Sequence, residues 1–387
     1  MITNNLRIIY FSHYADLYGA NKSLLNLIEG LTTIGVKDIL VVLPVEGKIC
    51  EHFKKQSIEV AIIPFVNETY YPGEDPSIFK KAAKFLYNWY IVLKYTKNLK
   101  RNRNTIIHSN SSATFIGAYF SLWLRVPHVW HLREFGFDDY KLTYNFGYKY
   151  FNYWMNKAQA VVAISKAIFN RRVKHTKARH KEIIYNGVIS VHQLLNRSSN
   201  VPDVSRLQND KITFGIIGLI NKEKGQENAI DAFNKFVQQH INAELIIAGT
   251  GINEYVDMLT EKVKQLGLQE HIKFIGFVEN TNEFYLSINC LLMCSKHEAF
   301  GRVTIEAMSN AVPVIGYNNG GTPEIIEHAY NGLLYQNGET ELTEMMNIVA
   351  KDRKLLYQMA QNALKTVKEK FTIEAYAEKV YKTYKSL

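Results

Sequence analysis

The stretch EAFGRVTIEA, residues 298–307, places two glutamates eight positions apart, one before a glycine and one inside an apolar segment that predicts a helix. A strand-like apolar run, INCLLMCS (288–295), comes just before it. In open α/β sheets, ligands bind beyond the carboxyl ends of strands, so Glu298 and Glu306 are expected to face a ligand crevice. Gly301 would let the backbone approach that ligand. The alternative, from spacing alone, is that Glu306 only favours the helix N-terminus through the helix dipole.

The segments on both sides of this stretch alternate between strand-like and helix-like patterns. Short apolar runs separated by helical patterns indicate parallel sheets with crossover helices. The runs in the second half are 211–218, 243–249, 272–278, 288–295, 312–317 and 332–335, and those in the first half are 6–13, 38–44, 60–65, 104–110, 127–134, 160–165 and 182–188.

The polar stretch NRSSNVPDVSRLQNDK (196–211) is interpreted as the linker between two domains. A chain of 387 residues is also long enough for two domains. We therefore predict one doubly wound domain over 1–200 and a second over 201–370. Residues 371–387 have helical spacing and are expected to form a helix.

Composition narrows the possible partners and compartments. The net charge of +10 and the pI of about 9.2 favour an anionic partner: nucleic acid, an anionic membrane or a phosphorylated substrate. The N-terminus has no pattern of a secretory leader, and no apolar run is long enough for a membrane span. The three cysteines are interpreted as buried free thiols rather than metal ligands, which fits a reducing cytoplasm.

The segment FKKAAKFLYNWYIVLKYTKNLKRNR (79–103) contains eight Lys or Arg and no acid. Its apolar residues Leu86, Trp89, Tyr90 and Leu93 recur at helical spacing. Such a helix can lie on an anionic bilayer, and the alternative is an ordinary surface helix that packs its aromatic face on the sheet.

The motifs also resemble those of a known family. The segment EAFGRVTIEAMSNAVPVIGYNNGGTPEIIEHAYNGLLY (298–335) resembles the signature of retaining glycosyltransferases of family 4, with further similar blocks at GLINKEKGQENAI (218–230), LIIAGTG (245–251), FIGFVEN (274–280), AISKAI (163–168) and NG (186–187). The resemblance covers nearly the whole chain. It implies the α/β GT-B fold, in which two doubly wound Rossmann-like domains face a central cleft and the final helix, here residues 371–387, crosses back to the N-terminal domain. The N-terminal domain would bind the acceptor and the C-terminal domain the nucleotide-sugar donor.

The resemblance implies roles for the donor-side residues. Glu298 matches the glutamate that contacts the donor sugar, Glu306 the one that holds the ribose, and Lys224 the lysine that neutralises the diphosphate. The family's arginine position holds Leu219, so either Lys222 or Arg302 is expected to supply that cation, or the diphosphate is held less tightly. The remaining residues match the backbone around sugar, phosphate and base: Gly218, Gly276, Phe277, Val278, Phe300, Gly301, Arg302 and Val303.

On the acceptor side, His131 ends a strand and matches the family histidine that touches the donor sugar near its reacting carbon. Arg133 and Glu134, next to it, are candidates for binding acceptor hydroxyls or phosphate. Gly19, before a helix, matches a glycine loop that approaches the phosphate or acceptor, and its alternative is a simple turn. Asn110 is a further acceptor-side candidate.

Asp138 and Asp139 are adjacent, unlike the spaced Asp-x-Asp metal motif of another glycosyltransferase fold. No required metal or cofactor is expected, because Lys, Arg and backbone N–H groups take the place of a metal in the GT-B arrangement.

The sequence thus predicts retaining transfer of a hexose from a UDP- or GDP-sugar to a glycan acceptor, lipid diphosphate-linked, at the inner membrane face. Its variants REFGFDDY and FGRVTIEAM are similar to those of bacterial enzymes that build capsule, exopolysaccharide or O-antigen. The alternatives are a non-catalytic glycosyltransferase-like partner subunit and a GT-B nucleotide-sugar epimerase. No nucleic-acid motif accompanies the positive charge.

Overall fold

The computed structural model describes residues 6–71, 73–74, 76–99, 101–199, 211–239 and 242–387. Two compact units make up the chain: Met1–Val188 together with Ile373–Leu387, and Ile189–Thr372. This division differs from the predicted boundary at residue 200. Residues 196–199 end a helix rather than begin a linker, and residues 200–210 of that predicted linker lie outside the described part of the chain.

The described residues of the first unit form nine strands: β1 (Arg7–Phe11), β2 (Asp38–Leu43), β3 (Glu59–Ile62), β4 (Thr69–Tyr70), β5 (Thr105–Ser109), β6 (His128–Leu132), β7 (Thr143–Tyr144), β8 (Ala160–Ala163) and β9 (His180–Ile183). Seven form a parallel sheet in the order β3-β2-β1-β5-β6-β8-β9, and β4 pairs with β7 in a small antiparallel sheet. Strands β5, β6 and β8 are buried along their whole length, as expected for a parallel sheet that is covered on both faces.

The helices of the first unit are α1 (Gly19–Thr33), α2 (Lys48–Lys55), α3 (Ile78–Tyr95), α4 (Ile116–Leu124), α5 (Phe137–Tyr140), α6 (Gly147–Met155), α7 (Lys166–Ile168) and, at the end of the chain, α16 (Ile373–Lys385). Helix α16 packs on α1 so closely that a β-carbon on Gly30 would lie 2.6 Å from Cβ of Ala377. Its buried residues Tyr376, Val380 and Tyr384 belong to the first unit's core. The C-terminal segment is therefore an integral part of the first unit.

The second unit repeats this plan, with six strands in the part that the structure describes: β10 (Ile212–Ile217), β11 (Ala243–Ala248), β12 (Ile272–Gly276), β13 (Cys290–Met293), β14 (Val314–Tyr317) and β15 (Gly332–Tyr335). They form a parallel sheet in the order β12-β11-β10-β13-β14-β15. Its helices are α8 (Val191–Ser199), α9 (Gln226–Val237), α10 (Asn253–Gln265), α11 (Thr281–Ser287), α12 (Arg302–Met308), α13 (Thr322–Ile325), α14 (Gly338–Lys351) and α15 (Arg353–Lys370).

Both sheets confirm the predicted pair of Rossmann-like α/β domains. Strand order reverses between β1 and β5 in the first sheet and between β10 and β13 in the second. Such a switch point opens a crevice at the carboxyl ends of the strands, where ligands bind in open α/β sheets. Each unit therefore offers one edge at which functional residues are expected.

Two smaller predictions can also be compared with the structure. All three cysteines (Cys50, Cys290 and Cys294) are buried and free, as predicted. Within the described ranges, no helix has both the length and the apolarity needed to cross a bilayer.

Candidate active site

The switch point of the second sheet brings Lys224 and Glu298 into contact. Lys224 ends a short 3₁₀ turn after β10, and the side chain of Asn221 caps this turn by accepting the Lys224 N–H at 3.0 Å. Glu298 lies in the loop after β13. The two side chains form an ion pair with 2.8 Å between Lys224 Nζ and Glu298 Oε2. Both groups keep some solvent access, so an anionic ligand can compete for the lysine.

Glycines fix the backbone on both sides of Glu298. The Gly321 N–H donates to the Glu298 carbonyl at 2.7 Å. Gly320 has a φ of +62°, and a β-carbon there would collide with that same carbonyl. Gly301 has a φ of +95°, a left-handed conformation that favours glycine, and lies directly before α12. The GG pair of GGTPE and the glycine of EAFG therefore serve to hold Glu298 in place.

Glu306 lies on α12, where two neighbours hold its carboxylate. The Tyr285 hydroxyl donates to Oε2 at 3.2 Å, and Arg302 Nη2 lies 3.5 Å from Oε1. Burial, reinforced by the charge of Glu306, raises the pKa of Tyr285 well above its usual value. This tyrosine therefore stays protonated and acts as a hydrogen-bond donor to Glu306. Sequence reasoning missed Tyr285, because it precedes Glu306 by 21 residues and belongs to no motif.

Arg197 of α8 is a second residue that the sequence did not indicate. Its Nη1 donates to Ser309 Oγ and its Nη2 to Asn282 Oδ1, both at 2.6 Å. Burial lowers the pKa of Arg197, whereas the charge of Glu306 acts in the opposite direction. Glu306 therefore lies in a positive environment made by Arg197 and Arg302, two arginines distant in sequence.

The other predicted donor-side residues are distributed along the same edge of the second sheet. Gly218 follows β10 directly, and Leu219 is 54% exposed at the place of the family arginine. Lys222 is exposed in the same turn as Lys224. Phe300 is buried and packs on Phe371, and the Val303 carbonyl accepts a hydrogen bond of 3.4 Å from Tyr285.

The predicted base-reading loop lies at the end of an edge strand. Gly276 ends β12, Phe277 is 75% exposed and Val278 is half-buried. Strand β12 lies two places from β10 in the sheet, so this loop shares the carboxyl edge with Lys224 but lies apart from the Lys224–Glu298 ion pair.

In the first unit, the corresponding edge is built around the buried side chain of Arg133. Its guanidinium donates to Asn110 Oδ1 at 2.8 Å, Asn186 Oδ1 at 2.6 Å and the Tyr376 hydroxyl at 3.0 Å. All three acceptors are neutral, so these contacts orient the cation without neutralising it. Sequence reasoning had not assigned a role to Asn186 or Tyr376 at this edge, because they come from a loop and a helix far along the chain.

His131, at the same edge, is fully buried, and neither of its ring nitrogens has a hydrogen-bond partner among the described residues. Its ring centroid lies 5.4 Å from that of His108 and 6.1 Å from that of Tyr376. Burial, followed by the charge of Arg133, lowers the pKa of His131 well below its usual value. The imidazole is therefore neutral and has unused donor and acceptor capacity.

Two of the remaining acceptor-side candidates, Glu134 and Asn110, have hydrogen-bond partners within the first unit. Glu134 accepts hydrogen bonds from Ser111 Oγ at 2.7 Å and from the Ser112 N–H at 2.5 Å, which ties β6 to the loop after β5. Asn110 also donates to the Ala20 carbonyl at 3.2 Å. Gly19 begins α1, whose N-cap residue makes no side-chain hydrogen bond.

The acidic pair of α5 has local partners. Asp138 accepts a hydrogen bond from Arg171 Nη2 at 2.9 Å, and Asp139 accepts one from the Phe135 N–H at 2.8 Å. In the described part of the chain, no cluster of three or more His, Cys, Asp or Glu residues has the arrangement of a metal site.

Comparisons with known proteins cover most of the chain. Residues 18–190 match the model of Glycosyltransferase Family 4, and residues 198–366 match that of Glycosyl transferases group 1. The capsular polysaccharide biosynthesis glycosyltransferase CapM of Staphylococcus aureus is 25% identical over 62% of this chain and 66% of its own length. The alpha-monoglucosyldiacylglycerol synthase of Acholeplasma laidlawii is 23% identical over 97% of this chain and 94% of its own.

Among solved structures, Anabaena Alr3699/HepE in complex with UDP superposes with a TM-score of 0.78 and 23% identity, over 99% of this chain and 100% of that one. The same Anabaena protein has also been solved with UDP-glucose, with a TM-score of 0.77. At this level of identity, the likeness establishes a shared fold.

Proposed function

Because the chain belongs to the family 4 glycosyltransferases of the GT-B fold, we propose that it moves a hexose, with retention of configuration, from a UDP- or GDP-sugar to a glycan hydroxyl. The observation that carries this proposal is the Lys224–Glu298 ion pair at the switch point of the second sheet, with Glu306 on the helix that follows. This arrangement offers one cation for a diphosphate and two carboxylates for hydroxyl groups.

In the proposed donor complex, Glu306 accepts hydrogen bonds from the ribose hydroxyls and Glu298 contacts the hexose. Lys224 exchanges its contact with Glu298 for the diphosphate. Arg302 or Lys222 supplies the second cation in place of the family arginine. The backbone at Gly218 and at Phe300–Val303 follows the sugar and phosphate, and that of Gly276, Phe277 and Val278 reads the base.

In the reaction, the bond between the anomeric carbon and the diphosphate oxygen breaks, and a bond to the acceptor oxygen forms on the same face. The acceptor proton passes to the leaving phosphate. Negative charge grows on the diphosphate as it leaves, and a fixed ammonium beside it lowers the barrier electrostatically. Lys224 has this role in the proposal, and no metal ion or other cofactor is required.

The first unit supplies the acceptor side of the proposal. The neutral imidazole of His131 contacts the transferred sugar near its reacting carbon. Arg133 and Asn110 bind an acceptor hydroxyl or phosphate, with Glu134 and Gly19 shaping the adjacent loops. Because Arg133 is oriented by neutral acceptors, an anionic acceptor such as a lipid diphosphate-linked glycan suits it.

We place this activity in capsule, exopolysaccharide or O-antigen synthesis, with the protein peripheral on the inner face of a bacterial cell membrane. The capsular and lipid-linked products in the names of two relatives support this assignment, as does the net charge of +10.

The proposal is tested by screening nucleotide sugars for thermal stabilisation of the purified protein, followed by product analysis with the stabilising donor. One UDP- or GDP-hexose should raise the Tm and yield an α-linked product from an α-linked donor. Inversion of configuration would contradict the mechanism. An epimerised free nucleotide sugar would favour the epimerase alternative instead.

A further inference from the structure

Helix α3 presents a large apolar surface to the exterior. Phe79 is 82% exposed and Leu86 is 64% exposed, and Tyr90 and Leu93 are more than half exposed. Spacings of seven, four and three residues place these four side chains on one face of the helix. Contiguous exposed apolar patches of this kind mark interaction sites in soluble proteins.

The opposite face of α3 already satisfies the packing of the first unit. Ile91 and Val92 are buried. Trp89 stacks on Tyr119 of α4, with ring centroids 5.3 Å apart. The predicted aromatic face is therefore divided, since Trp89 packs inward whereas Leu86, Tyr90 and Leu93 point outward. The outward residues are not needed for the core.

Helix α4 extends this surface with side chains that sequence patterns did not indicate. Leu122 and Trp123 are each 50% exposed near its C-terminus. Arg101, shortly after α3, donates to the Leu124 carbonyl at the end of α4. The C-terminal ends of the two helices therefore lie close together. The exposed residues of α3 and α4 are named here the α3–α4 face.

The α3–α4 face has a basic border. Residues 76–125, which include both helices, contain nine Lys or Arg and no Asp or Glu. Lys80, Lys94 and Lys97 are exposed. Beside Leu122, a cavity of about 410 Å³ is lined by Arg125 and Lys157 with no acidic residue in its lining.

We propose that the α3–α4 face docks on an anionic lipid bilayer, with Phe79, Leu86, Tyr90, Leu93 and Trp123 inserted at the level of the headgroups and the lysines on lipid phosphates. An apolar stripe with unopposed positive charge matches the two contributions that hold amphipathic helices at a membrane surface. A protein partner of mixed charge would not account for the missing acids. This inference rests on the membrane placement in the proposed function, which it deepens by naming the surface, and it does not depend on the transfer reaction.

The test is co-sedimentation of the full chain with vesicles of equal parts phosphatidylglycerol and phosphatidylcholine. Leu86→Ser, Tyr90→Ser and Leu93→Ser, combined in one variant, should weaken partitioning more than about tenfold, because their insertion into the bilayer is lost. Lys80→Ala, Lys94→Ala and Lys97→Ala should each weaken it about fivefold. Pure phosphatidylcholine vesicles should bind the wild type far more weakly.

The matched control replaces exposed apolar residues of the second unit, with Ile252→Ser, Met258→Ser and Leu286→Ser in one variant. It should bind vesicles like the wild type. UDP binding, measured in parallel, should be unchanged in both triple variants, which separates this inference from the proposed function. Equal binding by the α3 variant, or equal wild-type binding to both vesicle types, would overturn the proposal. The proposal would also be overturned if the α3 substitutions abolished a dimer of the protein and left vesicle binding unchanged.

Trp123 gives a direct probe of insertion. Brominated phosphatidylglycerol should quench the fluorescence of the bound wild type, and Trp123→Phe should bind similarly yet lose most of that quenching. Unchanged quenching in Trp123→Phe would contradict insertion of this end of α4.

Discussion

Both parallel sheets reverse their strand order at a switch point, but the residues at their carboxyl edges differ in chemistry. In the second unit, the switch point carries the partly exposed ion pair of Lys224 with Glu298. In the first unit, the carboxyl edge at β5 and β6, beside the switch point, carries the buried, neutral histidines His108 and His131 near Arg133, whose guanidinium is held by amide and hydroxyl oxygens. The same scaffold thus presents charge that a diphosphate can displace at one edge and a fixed hydrogen-bonding surface at the other.

Topology therefore determines where a site lies, whereas the residues directly after the strands determine what it binds. Substitutions at the two edges test this comparison.

The largest effect is expected for Lys224→Ala. Loss of the ammonium beside the leaving diphosphate should lower kcat about 10²- to 10³-fold, as for removal of one preorganised donor in other enzymes. Steady-state release of the nucleotide measures it. Lys235→Ala, near the C-terminal end of α9 and paired with Glu339, is the matched control and should change kcat much less. Turnover of Lys224→Ala within threefold of the wild type would refute the assigned role.

Glu306→Gln should weaken UDP binding about 10- to 100-fold, since hydrogen bonds to a charged group contribute about 1.5–3 kcal/mol. Isothermal titration calorimetry measures this change. Glu283→Gln, on the neighbouring helix α11, is the control and should bind UDP like the wild type. Equal affinities of the two variants would remove Glu306 from the ribose site.

The buried histidine of the first unit predicts acid sensitivity. Because the folded-state pKa of His131 lies well below the unfolded value of 6.5, protons bind preferentially to the unfolded chain. The contribution of the neutral His131 to the free energy of unfolding is therefore fully present above about pH 7.5, and it falls as the pH drops through 6.5. At pH 5, this one histidine should cost about 2 kcal/mol.

Urea unfolding of His131→Phe at pH 7.5 and pH 5 measures that contribution. The variant should lose about 2 kcal/mol less than the wild type between the two pH values. Leu132→Ala, a neutral core change in the same strand, should be equally destabilised at both. An unchanged pH dependence in His131→Phe would show that the pKa of His131 is not lowered by folding.

Tyr285→Phe should have the smallest effect. Removing one hydroxyl that orients Glu306 should weaken UDP binding about three- to tenfold with little change in kcat, since a single hydrogen bond to a carboxylate is lost. Tyr317→Phe, elsewhere in the second unit, serves as the control. A larger fall in kcat than in affinity would mean that Tyr285 acts on the reaction itself.

Sequence patterns predicted the two sheets because buried parallel strands read as short apolar runs, such as those of β10 and β13. The spacing also proposed Glu298 and Glu306 as ligand-facing residues, and the family resemblance added Lys224, which the structure brings into contact with Glu298. Sequence patterns missed the pair β4 and β7, because two residues per strand leave no periodic signal.

Contacts between distant elements could not be predicted from one sequence. Arg197 and Tyr285 surround Glu306 from two other helices, and Asn186 and Tyr376 orient Arg133 from positions 53 and 243 residues away. The end of α8 was interpreted as linker because its residues are polar, although Arg197 anchors it to Ser309 and Asn282.

The most direct test of the central claim is a crystal structure of the protein with UDP. We expect the ribose hydroxyls on the Glu306 carboxylate and the β-phosphate within about 3 Å of Lys224 Nζ, with the 2.8 Å contact between Lys224 and Glu298 broken or shared. UDP bound away from the carboxyl edge of the second sheet, with the Lys224–Glu298 ion pair intact, would contradict the account.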